Sequence, residues 1–196
     1  MGVSNSPALD AVIATIAAIG EMEPDDETPA YCGHNIQELA ESSCYENVVF
    51  LLLNGRLPEG EEFERVRADL ANHRELPEAL IDALRPVAHK AHPLDLLRTA
   101  VDFLGMVDTE ARDVSRASLY RSSIKTIAKL PTVIAVGHRL ARGLDPIDPI
   151  RRLTHAQNFF YMLSGYGPDE DAAIALDKML ILYAEHESDL SCLAAR

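Results

Sequence analysis

The chain has 196 residues, of which 47% are hydrophobic and 25% charged, a composition that builds a globular core without disulfides or metals. The net charge of −13 argues against a nucleic-acid-binding protein and against a polybasic membrane-surface protein, since both need a basic surface. Nine acidic residues precede Arg56, the first basic residue of the chain. This acidic N-terminal segment is either an ordinary solvated surface or a lobe that docks on a basic partner.

The first thirty residues carry mixed signals. Residues 12–16 are rich in β-branched side chains, but the alanines around them also suit a helix. A polar loop bounded by Pro24 and Pro29 follows. We therefore predict an N-terminal arm or hairpin over residues 1–30, with a short β segment, and a helical domain over residues 31–196.

From residue 31 onward the spacing of apolar residues is helical almost throughout, and no strand pattern alternates with it. Ser43 and Glu46 predict a capping box before a strongly apolar helix, which Gly55 is expected to end. These patterns predict an all-α protein with seven or eight helices. The helices are expected over residues 36–42, 45–54, from 58 past 70, 78–84, from 93 past 104, 115–140, 153–164 and 168–196.

Two of these helices carry specific expectations. In the helix that follows His92, an apolar face is expected from the helical spacing of its side chains. Those side chains are Leu94, Leu97, Val101 and Leu104. Pro131 lies inside the long helix over residues 115–140 and should kink or divide it, because proline removes one backbone hydrogen bond.

The cysteines and the apolar segments indicate the compartment. An odd number of cysteines without C-x-x-C spacing predicts reduced thiols, as in the cytoplasm. The three are Cys32, Cys44 and Cys192. The apolar run over residues 11–19 is too short to span a bilayer, and no basic residue precedes it as in a signal peptide. We expect a soluble, cytoplasmic protein without a membrane segment.

Histidines are the main candidates for chemistry. His89 and His92 have a metal-ligand spacing, but no third ligand is near in sequence, so no metal site is predicted. His155, at the start of a predicted helix, is expected to have a capping or packing role. His186 stands between two glutamates on an apolar helix, where burial and charge oppose each other in setting its pKa. It is therefore either a ligand-binding histidine or a satisfied structural one.

Other polar groups give weaker signals. No serine or cysteine has a recognisable base at a known spacing, so no nucleophile is predicted. Arginines are the expected contacts for anionic ligands, although most are expected to be surface groups. They are Arg98, Arg116, Arg121, Arg139, Arg142, Arg151 and Arg152.

Six segments stand in a recognisable order along most of the chain. They are YCGHNIQELA at 31–40, VVFLLLNGRLP at 48–58, HPLDLLRTAV at 92–101, IAKLPT at 127–132, HAQNFFYML at 155–163 and the stretch over 176–196. In this order they resemble the citrate synthase family, in particular the N-terminal half of its shorter bacterial and archaeal type. The resemblance covers about residues 8–196. The related 2-methylcitrate synthases share these motifs, so the acyl-CoA substrate stays open.

The resemblance implies a multi-helical large-domain fold and a homodimer. It implies an acyltransferase reaction of the tricarboxylic acid cycle, in which acetyl-CoA condenses with oxaloacetate to give citrate and CoA. The CoA thioester is then a substrate, and no bound cofactor is expected. In the family an Asp takes a proton from acetyl-CoA, one His stabilises the enol, and a second His polarises the oxaloacetate carbonyl.

Within this sequence, only the oxaloacetate-binding His of the family's D-H-E motif has a counterpart, at His186. The catalytic His, the G-x-G-H histidine, the catalytic Asp and the oxaloacetate-binding arginines of the family have none. No catalytic residue is therefore predicted within the chain, and the CoA-binding residues stay unknown. The motif around His186 also departs from the family pattern. Glu185 replaces an Asp, Asp189 an Asn and Cys192 a Thr, while Cys32 replaces an Arg. The added negative charge at Asp189 is expected to weaken binding of a dianion.

Two functions follow from the resemblance. The first is a citrate-synthase-type segment that is active only together with a second half of the fold, carried by another subunit or by residues outside this sequence. The alternative is a catalytically inactive half-domain that regulates or scaffolds a true synthase. In either case we expect an oligomer, formed with copies of itself or with a subunit that carries the C-terminal half, because apolar helices would otherwise be exposed.

Overall fold

The computed structural model of the protein describes residues 20–21, 29–167 and 169–185. Several features considered in the sequence lie outside these residues. They include the run over residues 12–16, the candidate ligand His186 and the third cysteine, Cys192.

Within the described ranges the fold is helical with one small sheet, which confirms the predicted all-α class with a short N-terminal β segment. The strands are β1 (Gly20–Glu21), β2 (Ala30–Tyr31) and β3 (His34–Asn35). The first helices are α1 (Ile36–Ser42), α2 (Tyr45–Asn54), α3 (Glu62–Asn72) and α4 (Glu78–Leu84). They are followed by α5 (Pro93–Val107), α6 (Arg116–Ala141), α7 (His155–Ser164) and α8 (Glu170–Leu182).

The described residues divide into two compact units. The first unit combines the residues up to Phe63 with those from Leu176 onward, and the second unit spans Glu64–Ala175. The predicted boundary at residue 30, between an N-terminal arm and a helical domain, stays a prediction.

The sheet is antiparallel, in the order β1-β2-β3. Tyr31 pairs with His34, so Cys32 and Gly33 form a two-residue turn. Both turn residues have positive φ, 49° at Cys32 and 80° at Gly33. Positive φ at both central positions defines a type I′ turn. This conformation is strained for residues other than Gly, Asn and Asp.

Replacing Cys32 with asparagine is therefore expected to raise the free energy of unfolding of the first unit by about 0.5–1 kcal/mol, because asparagine tolerates the left-handed region. Urea denaturation of the wild type and the variant measures the change. Cys32→Ala is the matched control, since it removes the thiol without relieving the strain. Equal stability of the two variants would contradict the explanation.

The core of the first unit surrounds Tyr31 and consists of buried residues from β2, α1, α2 and α8. They are Tyr31, Ile36, Leu39, Ala40, Val48, Leu51 and Ile181. Helix α2 ends as predicted at Gly55, whose N–H donates to the Leu51 carbonyl and whose φ is 75°. The helix buries Val48 and Leu51 completely.

The predicted capping box at α2 is wrong. Ser43 is the C-cap of α1, so Cys44 becomes the N-cap of α2 and supplies no side-chain cap. The Ser43 hydroxyl instead accepts a hydrogen bond from the Asn47 amide. The start of α2 is held from a distant helix, because the Tyr45 N–H donates to the Asp177 carboxylate at 3.2 Å.

The helix expected to open at Pro58 begins later, at Glu62. Gly60 has a φ of 54°, which ends any regular helix before it. Glu62 also closes this loop, because its carboxylate accepts two hydrogen bonds from Arg56, at 2.6 and 2.7 Å, and one from the Glu59 N–H at 2.9 Å.

The core of the second unit joins α4, α5 and α6. Its buried residues are Leu80, Leu84, Ala88, Leu96, Ala100, Val133, Val136 and Leu140. The predicted apolar face of α5 is only partly the buried one. Leu96 and Ala100 form the centre of the buried face. Leu94 and Val101, which belong to the predicted apolar face, are 66% and 40% exposed. The stripe is rotated because α5 packs between α4 and α6.

The long helix α6 runs without a break through Pro131, so Pro131 does not divide it. A kink at Pro131 stays a prediction. Proline removes a single N–H, and residues on either side of it, among them Ala128, Thr132 and Val133, are buried in the unit. Helix α7 begins at His155, two residues later than predicted, because Thr154 and Gln157 form a capping box. Helix α8 ends at Leu182, and residues 183–185 leave the helical conformation, so the prediction of one helix over residues 168–196 is wrong.

None of the helices among the described residues has the length and apolar character needed to cross a membrane.

Candidate functional site

His186, the candidate oxaloacetate-binding residue, directly follows residues 181–185, which are the last residues that the structure describes. These residues form the end of α8 and the turn after it. The last carbonyl groups of a helix lack partners within the helix and need them from elsewhere. The structure supplies one such partner from the N-terminal sheet.

That partner is Tyr31, the last residue of β2, which is 1% exposed. Its hydroxyl lies 3.0 Å from the Ile181 carbonyl oxygen, 3.4 Å from that of Leu182 and 3.1 Å from that of Glu185. It also accepts a hydrogen bond of 3.2 Å from the Glu185 N–H. One side chain thus caps α8 and holds the turn that follows it.

Burial raises the pKa of the Tyr31 hydroxyl, because the phenolate would lose its solvation inside the first unit. The hydroxyl therefore stays protonated over the physiological range and can donate to a carbonyl while it accepts from the Glu185 N–H.

A second set of polar groups links α8 to the start of α2. Asp177 accepts from the Tyr45 N–H and faces the buried side chain of Glu46, which is 2% exposed. Burial first, and then the charge of Glu46, raise the pKa of Asp177 to about 6. Burial likewise raises the pKa of the Cys44 thiol to about 11, so that thiol is not a reactive thiolate.

This arrangement predicts that the first unit loses stability as the pH rises. The folded pKa of Asp177 is above its unfolded value, so its contribution is full below about pH 4 and is lost as the pH passes about 6. We expect a loss of about 1 kcal/mol, less than the shift alone implies, since solvent screens a half-buried carboxylate. Asp177→Asn keeps an acceptor for Tyr45 and should flatten the dependence, measured by urea denaturation at both ends of the range. Glu41→Gln, at an exposed carboxylate of the first unit, is the control and should leave the slope unchanged.

Three of the other histidines have structural surroundings. His92 is the N-cap of α5 and its Nδ1 accepts from the Leu94 N–H at 3.3 Å, while the His73 ring contacts the Asp69 carbonyl. His155 is 3% exposed, as expected for a packing residue. Among the described residues, no group of three or more His, Cys, Asp and Glu side chains is placed to hold a metal ion.

Several of the arginines considered as anion contacts already have partners within the second unit. Arg98 pairs with Asp95 and Arg121 with Glu110. Arg139 donates to the carbonyl oxygens of Asp145 and Leu163. The role of these arginines in binding an anionic ligand stays a prediction.

Two residues of this region were missed in the sequence. Tyr31 belongs to a recognised motif, yet its hydrogen bonds reach residues about 150 positions away in the chain. Asp177 caps a helix that begins 132 positions before it. Neither contact leaves a local signal, since capping motifs are recognised within one turn.

Comparisons with known proteins agree with the resemblance. The family model described as "Citrate synthase, C-terminal domain" matches residues 8–196. Citrate synthase 2 of Bacillus subtilis is 34% identical over 189 residues, which cover 96% of this chain and 50% of that protein. The citrate synthase of Haloferax volcanii is 36% identical, covering 95% and 50%. A 2-methylcitrate synthase of Mycobacterium tuberculosis is 34% identical, covering 96% and 47%.

Solved structures give the same result. The citrate synthase of Pyrobaculum aerophilum superposes with a TM-score of 0.85 at 36% identity, covering 91% of this chain and 46% of that one. The citrate synthase of Thermotoga maritima superposes with a TM-score of 0.77 at 26% identity. The chain spans about half the length of the curated relatives it matches. A match over nearly the whole sequence, joined to the shared helical fold, shows that this chain belongs to the citrate synthase family.

Proposed function

We propose that the protein takes part in the condensation of an acyl-CoA thioester with oxaloacetate, which yields citrate or 2-methylcitrate and CoA. The observation that carries this proposal is the family match over residues 8–196, which includes the segment around His186. His186 would bind oxaloacetate through a hydrogen bond, as the histidine of the family's D-H-E motif does. The family's G-P-L-H-G-G motif with the catalytic His does not occur in these 196 residues. Residues equivalent to the other half of the relatives would therefore supply the catalytic His and Asp.

The test measures CoA release and oxaloacetate binding by the protein isolated from its own source, together with any chain that accompanies it. We expect CoA release from acetyl-CoA or propionyl-CoA only when oxaloacetate is present. His186→Ala should raise the Kd for oxaloacetate at least tenfold, because a charge-assisted hydrogen bond to the ligand is lost. His89→Ala, at an exposed histidine, is the matched control and should bind as the wild type does.

A second function is favoured by the altered sequence near His186. Glu185, Asp189 and Cys192 depart from the family pattern, and the added charge opposes a dianionic ligand. The alternative is a non-catalytic partner that binds and regulates a complete synthase. It predicts a stable complex with such a synthase, no heat of oxaloacetate binding to this chain, and no effect of His186→Ala.

The second unit has an apolar face that we propose as its contact with a second copy of the chain. Leu94 on α5 and Ile134 on α6 are 66% and 45% exposed. Between these helices lies a groove of about 370 Å³, lined mostly by apolar side chains that include Leu94, Leu97 and Ile134. Burial of such a face stabilises association by about 25 cal/mol for each Å² of apolar surface.

A charge on this face is expected to dissociate the oligomer. The molar mass of the protein in solution would then fall. Leu94→Asp would place a carboxylate in the contact without a partner, which opposes association. Light scattering coupled to size-exclusion chromatography measures the change. Leu144→Asp is the control, because Leu144 is 47% exposed but does not line the groove. Unchanged mass for Leu94→Asp would contradict the assignment of this face.

A further inference from the structure

Tyr31 holds the residues that precede His186, the residue proposed to bind oxaloacetate. We propose that it is a positioning residue for oxaloacetate recognition: its hydroxyl fixes residues 181–185, and with them the backbone from which His186 continues. This inference rests on the proposed function and adds a residue to it.

At the end of α8 the Tyr31 hydroxyl holds the turn at both of its ends. After Leu182 the chain leaves the helix, and the Ala184 N–H donates to the Ile181 carbonyl at 3.3 Å. The Tyr31 hydroxyl stands within 3.1 Å of both the Ile181 and the Glu185 carbonyl oxygens and accepts from the Glu185 N–H. Because it has one proton, it donates to one carbonyl at a time. It nevertheless touches both ends of the turn, so the turn cannot open without loss of a hydrogen bond.

The Tyr31 hydroxyl is itself held in place by the packing of the ring and by strand pairing. The Tyr31 side chain is buried in the core of the first unit with Leu39, Val48 and Leu51. Its backbone is paired on both sides, with β1 at Gly20 and with β3 at His34. A side chain fixed by packing and by strand pairing is the kind of support that a precise ligand contact requires.

The turn over residues 181–185 controls the direction in which the backbone reaches His186. The torsion angles at Glu185 set the direction in which the chain proceeds to the next residue, His186. A ligand contact that is misplaced by about 1 Å loses much of its hydrogen bond, and such errors commonly reduce the rate or affinity at a site by an order of magnitude or more. Loss of the Tyr31 hydroxyl should therefore weaken oxaloacetate binding without removing a group that touches the ligand.

The test is Tyr31→Phe, which keeps the ring in the core and removes only the hydroxyl. It is made in the full assembly isolated for the functional assay. We expect the Kd and the KM for oxaloacetate to rise about tenfold, while the KM for the acyl-CoA stays within about twofold of the wild type. Tyr45→Phe is the matched control, since it removes a hydroxyl from a second tyrosine packed against the same core. All proteins are compared at a temperature at which each is fully folded.

Amide hydrogen exchange supplies a readout that does not depend on activity. Exchange at Glu185 should accelerate in Tyr31→Phe and not in Tyr45→Phe, because only the first variant removes the acceptor of that N–H. Unchanged exchange at Glu185 would overturn the inference, as would wild-type affinity for oxaloacetate in Tyr31→Phe. If the wild-type assembly neither binds oxaloacetate nor responds to His186→Ala, the proposed function itself fails, and this inference fails with it.

Discussion

Replacing Arg74 with methionine is expected to lower the free energy of unfolding of the second unit by about 3 kcal/mol. Arg74 is 1% exposed, and its Nη1 donates to the carbonyl oxygens of Ile150 and Leu153, each at 2.9 Å. Methionine preserves the apolar stem of the side chain but has no donor. Both carbonyls would lose this charged donor, and a hydrogen bond to a charged group contributes about 1.5–3 kcal/mol.

Chemical denaturation of Arg74→Met measures the effect. Arg85→Met is the matched control, because Arg85 is half-exposed and its ion pair with Asp145, at 3.3 Å, is solvated. Such a surface pair contributes less than about 1 kcal/mol. Arg74→Lys keeps the charge but cannot present the guanidinium geometry, and should fall between the two. An equal loss in Arg74→Met and Arg85→Met would show that the two carbonyl contacts do not stabilise the unit.

Acidification from about pH 7 to about pH 4 is expected to destabilise the second unit by about 3 kcal/mol, because His155 is buried in its neutral form. Burial first, and then the positive charge of Arg74, lower the pKa of His155 to about 4. In the unfolded chain the imidazole takes up a proton near pH 6.5. The contribution of His155 is therefore full above about pH 6.5 and is lost as the pH falls towards 4.

The variant His155→Gln tests this origin, since it removes the titrating group from the same position. Its own stability will be lower, but the slope of its unfolding free energy between about pH 4 and pH 7 should be smaller than that of the wild type. His89→Gln, at an exposed histidine, should keep the wild-type slope. A wild-type slope in His155→Gln would assign the acid sensitivity to other groups.

These two predictions concern contacts that the sequence did not reveal, whereas the sequence did reveal most helices. Gly55 ended α2 as predicted, because a glycine after an apolar run is a signal contained within one turn. The errors arose where a distant residue took over a local role. Ser43 and Glu46 have the spacing of a capping box, yet the start of α2 is held by Asp177. The buried face of α5 was likewise decided by the helices on either side of it.

The residues of the candidate site likewise include some that the sequence predicts and some that only the fold reveals. The order of the motifs identified the family, and through it His186, because residue types and spacing are properties of the sequence. The hydroxyl of Tyr31 could be recognised only after folding had brought it to the end of α8. Arg74 is similar, since a charged residue is expected at the surface unless buried acceptors are found for it.

The contact between Tyr31 and Ile181 has a consequence for the synthesis of the chain. The second unit is continuous in sequence, so all of its residues are translated before the last part of the first unit is made. Tyr31 is translated 150 residues before the carbonyl that it binds. We therefore expect the second unit to fold early on the ribosome, while the core around Tyr31 stays incomplete until α8 emerges. During that interval the apolar residues of α1 and α2 that pack in the core with Ile181, among them Leu39 and Leu51, lack this partner and can be bound by a chaperone.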